Sequence, residues 1–436
     1  MEDSENNKIV LKTVLKKDLT LKDLVLLGIG NIVGAGIFII LSKIIKYGGN
    51  KTIYGIIIVS IISIIMAFCY LEINQRYKSN IGEFLAIKEN MGAYIGNISL
   101  YIIYLFAILS VVTIVVSLSK YILKFDGVYK VIKDTRQNQI IMSIAFLLVM
   151  SIINYLGIDA SKMLTNSIGI ILLIVLIGII LLCIPQFNIK NICSGNTISY
   201  NSFTLSTILA LFLFNGYDIF VKMHDEVKNE GDIKNGIILS ISITTIIYIL
   251  IILLAISVLG YSKISQSYHI ITNLYEKMTN PFITFISYIV GFIIMFNTAF
   301  ITFLGSTRFL YGCGKDDTVH FSKKLSELNN NQTPHYSILL SLIVCIIFAL
   351  FNNEVLIAIF TNFSCIFLLL LIAISIVIVR WKNKDNIEDQ EKNNHIWGNI
   401  NNIPIVVVIA IISLFYIFYK ILVNKFYIKE LYQYDK

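Results

Sequence analysis

The sequence predicts an all-α membrane protein with about eleven transmembrane helices, and three observations carry that expectation. Of its 436 residues, 56% are hydrophobic and 14% charged, whereas a soluble domain has roughly 45–50% apolar residues and a quarter charged. Mean hydropathy is +0.78. The charges are also segregated, leaving uncharged runs such as 141–158 and 237–261, each close to the length of about 20 residues that a bilayer requires.

The spans are expected at 22–45, 52–74, 94–120, 138–157, 163–184, 204–221, 236–260, 281–309, 336–352, 355–380 and 402–423. Ahead of them, residues 1–19 are polar and lead into a full-length span without a small-residue cleavage site, so they read as a tail and not a cleavable signal. A shallow excess of Lys and Arg on the same side puts that amino terminus in the cytoplasm. Residues 20–380 form a ten-helix core, with repeats at about 20–184 and 204–380. Residues 381–401 are a charged loop, and 402–436 hold an eleventh helix and a tail. Pro185, Pro281, Pro334 and Pro404 all fall near span ends, so any break within a span has to come from glycine.

Two spans carry such breaks. Span 1 contains "GIGNIVGAGIF", with Gly28, Gly30, Gly34 and Gly36 close together. Each glycine costs about 1 kcal/mol against alanine in a helix interior, an odd choice for a simple anchor. Close packing of small residues at Gly30-x-x-x-Gly34 is one reading; an unwound stretch is the other. Span 6 reads "LFLFNGYDIFVK", where Gly216 is flanked by Asn215 and Asp218. An intramembrane carboxylate is costly and points to function unless the span ends early and leaves it at the interface. Unwound backbone inside a membrane is tolerated only where it is buried in protein or lines a cavity. A pair of interrupted spans opening two five-span units is the mark of a five-plus-five inverted repeat, with half-helix N-termini facing an anionic group and free carbonyls facing a cation.

Other function classes find little support. The net charge of +8 comes from lysines scattered among spans, which fits an anionic leaflet better than nucleic acid. The cysteines lack metal-ligand spacing, and Cys183 and Cys193 read as unpaired in preference to a disulfide. No cofactor, metal or catalytic group is expected, and the five histidines, among them His395 in the charged loop, read as surface residues. "GIGNIVG" has no preceding strand, so it is not a phosphate loop.

"LTLKDLVLLGIGNIVGAGIF", "DEVKN" at 225–229, Asn154-Tyr-Leu-Gly157 and "GSTRFLYGCGKDD" at 305–317 with Thr333-Pro334 occur in one order. In these motifs the chain resembles the amino acid–polyamine–organocation permease superfamily. The resemblance implies alternating access around a midplane site. Gly34, Ala35 and Gly36 would hold a substrate carboxylate, and the carbonyls of Ile32, Phe212 and Asn215, beside Gly216, an α-ammonium. Phe212 or Phe214 would act as a gate and Asp218 as a gating or coupling group. "FNGYD" is similar to the cationic amino acid branch, which makes a basic substrate an expectation. Asn297, Thr298 and Thr302 form a possible ion site or a cross-helix bonding group.

Three departures accompany the likeness. Glu230 stands where the family has proline, Leu172 where many members have a coupling lysine, and eleven spans are found instead of twelve. The segment 120–136 has no cysteine, so no disulfide-linked single-span partner is expected. The expected role is a secondary amino acid transporter, as symporter or antiporter, whose partners are the lipid bilayer and a small amino acid or organic cation. The alternatives are a transport-inactive amino acid sensor and a polyamine permease.

Overall fold

A computed structural model describes residues 15–123, 132–193, 198–266, 270–278, 281–316, 323–382 and 411–412. Helix α1 (Leu21–Ile39) leaves helical geometry at Gly34, with φ 10° and ψ −135°. It continues into α2 (Leu41–Gly48) and a 3₁₀ turn, Gly49–Lys51. Helix α3 (Thr52–Arg76) is span 2; a short helix α4 (Gly82–Met91) follows it, and α5 (Ala93–Leu123) is span 3. Spans 4 and 5 are α6 (Arg136–Leu156) and α7 (Ile158–Cys183), the latter followed by the short α8 (Ile189–Cys193).

Span 6 is two pieces, α9 (Tyr200–Leu213) and α10 (Ile219–Lys222), with the second break between them. After a 3₁₀ turn, His224–Glu226, comes α11 (Glu230–Leu259). The short α12 (Tyr261–Gln266) and α13 (Ile270–Met278) then precede α14 (Pro281–Lys315), α15 (His335–Phe351) and α16 (Glu354–Lys382).

Ten expected spans thus coincide with helices to within a few residues. Eight helical stretches among the described residues are long and apolar enough to cross a membrane, and α9 and α15 are shorter apolar helices. The eleventh span at 402–423 lies outside the described residues but for two positions, as do most of the charged loop and residues 1–14. Ile141, Leu148, Ile152 and Ile174 are exposed on spans 4 and 5. Such apolar outer faces suit lipid, whose tails replace water around them. Cys183 is unpaired and buried.

Helix α1 begins at Thr20, whose backbone N–H and hydroxyl both donate to Asp23, at 2.9 and 2.7 Å. Asp23 also accepts from Asn166 at 2.6 Å and pairs with Lys162 at 3.0 Å, which fastens span 1 to span 5. Just before α1, Asp18 and Leu19 donate to the Glu226 carbonyl, and Lys228 N–H donates back to Leu19. The Lys162 and Lys228 ammoniums, both bonded to Asp18, hold its carboxyl down to about 2. The chain before span 1 is therefore stitched to the loop after span 6, so the ends of the two broken spans share one anchor.

A second anchor is fully buried. Arg308 on α14 donates to Glu226 through Nε at 3.1 Å and Nη2 at 3.0 Å, and Nη1 reaches Asn154 and Thr307. Asn154, the "DEVKN" glutamate and the "STR" arginine, three separate motifs in the sequence, are one network in space. Glu230 opens α11 and pairs with Lys78 at 2.6 Å, so the missing proline leaves a loop still held at that point.

Removing one partner of a buried ion pair strands the other charge and costs roughly 3–5 kcal/mol, more than losing both. Arg308→Met is expected to lower the thermal unfolding temperature of the detergent-solubilised protein sharply, and adding Glu226→Gln to recover part of that loss. Equal stability of wild type and Arg308→Met would contradict the anchor.

Candidate functional site

The two breaks meet. At the second, Gly216 has φ +121°, and a Cβ there would sit 2.8 Å from Asn31 Nδ2. Only glycine adopts this conformation at no steric cost, and the span could not approach Asn31 otherwise. Asn31 Nδ2 donates to the Gly216 carbonyl at 2.8 Å, closing one break against the other. At the first break, a Cβ on Gly34 would collide with the Thr298 side chain of α14. The unwinding is therefore coupled to close approach between spans 1 and 8. Gly28 packs on Phe220 and Ser240, and Gly30 beside Asn297 and Ile301, so these two glycines serve helix contact.

Unwound carbonyls need donors in a membrane. Tyr248 on α11 supplies one that the sequence reading had not singled out. Its buried hydroxyl lies 2.9 Å from the Ile32 carbonyl and 2.8 Å from the Leu213 carbonyl, with Val33 at 3.4 Å. A single phenolic proton is shared between both breaks. Phe214 is buried edge-on against the Tyr248 ring, centroids 5.2 Å apart, and so packs behind the break.

A small, partly open cavity lies at the meeting point. Of the expected binding residues, Ile32, Gly36, Phe212, Asn215 and Gly216 line it, as do Asp218, Thr298 and Thr302; Phe106, Ser110 and Ile114 of span 3 complete the wall with Asn31. Gly34 approaches Thr298, and Ala35 lies between Gly34 and Gly36 in the chain. Phe212 and Asn215 also line a neighbouring cavity beside α3 and α16, which makes them the partition between two chambers. Asn215 Nδ2 donates to Cys365 Sγ at 2.9 Å from that partition.

The residues read as a possible ion site are engaged across helices. Thr298 Oγ1 donates to the Gly30 carbonyl at 3.1 Å, and Thr302 Oγ1 to Asn31 Oδ1 at 3.1 Å. Asn297 is buried with no hydrogen-bond partner for Oδ1 among the described residues. Leu172, standing where many members have a coupling lysine, is buried in the core.

Asp218 is paired instead with Lys222, one turn on along the second half of span 6. Lys222 is buried, with its ammonium 6.0 Å from the Phe106 ring centroid. The i, i+4 spacing of opposite charges was visible in "DIFVK" and signals a pair on one helix face.

Two interrupted spans closing on one cavity with a few polar groups in its wall, in a bundle of apolar helices, fit a membrane transporter of the broken-helix kind. The profile of the amino acid permease family matches residues 19–432, and the chain belongs to that family. It is similar to a candidate amino-acid transporter of Methanocaldococcus jannaschii, 22% identical over 81% of this chain and 90% of the relative. It is also similar to the branched-chain amino acid permease BcaP of Bacillus subtilis, 23% identical over 74% of this chain and 72% of the relative. A third relative is the vacuolar cationic amino acid transporter 8 of Arabidopsis thaliana, 22% identical over 85% of this chain and 64% of the relative. The protein is thus an integral multi-pass amino acid permease and not an enzyme.

Leaving a buried carbonyl unsatisfied costs about 1–3 kcal/mol. Tyr248→Phe, which keeps the ring and loses the proton, is expected to lower stability by about that amount and to reduce substrate affinity. Unchanged thermal unfolding and unchanged binding would show that the hydroxyl does not hold the breaks.

Proposed function

We propose that the chain moves α-amino acids, basic ones among them, by alternating access around the cavity between the two breaks. The observation that carries this reading is the direct closure of span 1 on span 6 at the cavity wall through Asn31 and Gly216. Backbone amides at 34–36, at the start of the second half of span 1, suit an α-carboxylate, because half-helix N-termini carry partial positive charge. Carbonyls at Ile32, Phe212 and Asn215 suit an α-ammonium, that of Phe212 while also accepting from the Asn215 N–H at 3.4 Å. The Ile32 carbonyl already accepts from Tyr248, and an oxygen with two lone pairs can accept once more.

The side chain would face Phe106, Ser110, Ile114 and Asp218. Phe212, on the partition, is the better placed of the two aromatic candidates to open and close a path. Asp218 gives a basic side chain an opposite charge, but that side chain has to compete with Lys222 for it. In the inverted-repeat reading, residues 20–184 and 204–380 rock against each other while the two breaks stay at the centre.

Uptake of radiolabelled lysine and leucine into liposomes holding the purified chain tests this directly, under imposed gradients and in exchange. Accumulation is expected. Gly36→Leu is expected to abolish it for both substrates, since a Cβ at Gly36 already lies 3.0 Å from Leu213 Cδ2. Asp218→Asn is expected to lower the lysine rate about tenfold more than the leucine rate, the scale of about 1.4 kcal/mol of lost differential interaction. Ligand binding without flux under every condition would favour a sensor, and stronger competition by putrescine or spermidine than by lysine a polyamine carrier.

A further inference from the structure

Among the described residues, Glu83 is a buried acidic side chain near the site that the transport reading leaves without a role. It sits in the first turn of α4, between spans 2 and 3, and is 1% exposed. Neither carboxyl oxygen has a hydrogen-bond partner among the described residues, its own helix's backbone N–H groups included. A buried ionised carboxylate without partners is strongly disfavoured, and such a group takes up a proton instead. Burial raises this carboxyl well above the usual carboxylate range, against the pull of the Lys222 charge, while the charge of Asp218 raises it further.

The surroundings make the position more than a buried acid. A Cβ on the preceding Gly82 would lie 3.3 Å from Val221 Cγ1, which presses the start of α4 against the end of span 6. Lys222 and Asp218 are the charges that act on Glu83. Tyr70 of α3 and Tyr217 of the break are the phenols within its field. On α16, Cys365 faces the Asp218–Lys222 pair, and Arg380 is taken up by Glu72 of α3 at 2.6 Å. On α5, Phe106 stands beside Lys222. Lys88 on α4 itself lies 5.3 Å from the Phe84 ring centroid.

With Glu83 protonated, Lys222 and Asp218 form a neutral pair. With Glu83 ionised, one lysine serves two carboxylates, and Asp218 is partly released toward the cavity that it lines.

We propose that Glu83 is a proton-binding site, and that a basic substrate side chain displaces its proton through Lys222. The substrate cation takes Asp218, Lys222 turns to Glu83, and the Glu83 O–H bond breaks as its proton leaves to water. Lys222 stays charged throughout, and the buried charge is the same before and after, because one cation arrives as one proton departs. By linkage, protonation of Glu83 weakens binding of a basic substrate by the factor by which that substrate favours proton loss. The exchange step rests on the proposed amino acid transport; the proton site itself does not.

Two measurements on the purified full chain test this. In weak buffer, at a pH on the protonated side of the Glu83 titration, lysine binding is expected to release close to one proton per molecule bound. Leucine is expected to release none, and Glu83→Gln, which resembles the protonated form, to bind lysine without release. Proton release undiminished in Glu83→Gln, or lysine binding to wild type without release, would overturn the exchange while leaving the transport reading intact. If no amino acid binds, both the transport reading and the exchange fail.

The second measurement needs no substrate. Infrared difference titration should show a protonated-carboxyl band that is absent from Glu83→Gln. Its midpoint should fall by about one pH unit or more, a tenfold change in proton affinity, in Asp218→Asn, where Lys222 can turn wholly to Glu83. A spectrum identical in wild type and Glu83→Gln, or a midpoint unmoved by Asp218→Asn, would overturn the proton site.

Discussion

A helix interrupted inside a bilayer survives only if every freed backbone group finds a donor or acceptor, and here two side chains supply donors to carbonyls at both breaks. The Tyr248 hydroxyl serves the Ile32 and Leu213 carbonyls, and the Asn31 amide serves the Gly216 carbonyl. Both reach from one broken span or its neighbour to the other, so neither break is satisfied alone. The cavity exists because of this mutual dependence. If Asn31 moved away from Gly216, that carbonyl would lose the shorter of its two hydrogen bonds and keep only the Ile219 N–H at 3.4 Å, so the two spans are expected to rearrange together.

Mobility of the centre needs firm ends. The side on which span 1 begins is fixed by the Asp18, Lys162 and Lys228 group and by backbone bonds between Leu19 and the loop after span 6. Beneath it, Arg308 joins Glu226 and Asn154 in the dry interior. Buried ion pairs are weak sources of net stability, because desolvation offsets most of the attraction, but they penalise wrong partners heavily. Their placement at one end of the bundle suits a structure whose middle can change while one set of helix ends keeps its register.

Much of this was legible in the sequence. Apolar runs are long compared with their connections, so ten span positions followed from length and charge alone. Clustered glycines left unwinding and close packing both open at Gly34, and a glycine beside two polar residues marked the break at Gly216. The short helix α4 and the pair α12 and α13 were not foreseen, since short stretches of mixed polarity look like ordinary loops. Tyr248 was missed because a tyrosine in an aliphatic run has many explanations, and only the fold shows which carbonyls it reaches. Glu83 was missed for the opposite reason: a glutamate in a polar connection reads as solvated until neighbouring helices cover it. Lys222 was the avoidable omission, given its spacing from Asp218.

The central claim is that substrate occupies the cavity where the breaks meet. Ser110 lies on span 3, belongs to neither broken helix and lines that cavity, so a cysteine there reports occupancy without touching the backbone that forms the site. The direct measurement is the rate at which a small thiol reagent modifies Ser110→Cys in the reconstituted protein, relative to the unmutated chain, with and without saturating amino acid. The expected result is modification that slows as the amino acid binds, with the half-protecting concentration equal to its measured Kd. A rate unaffected by saturating substrate would place the amino acid elsewhere and contradict the claim.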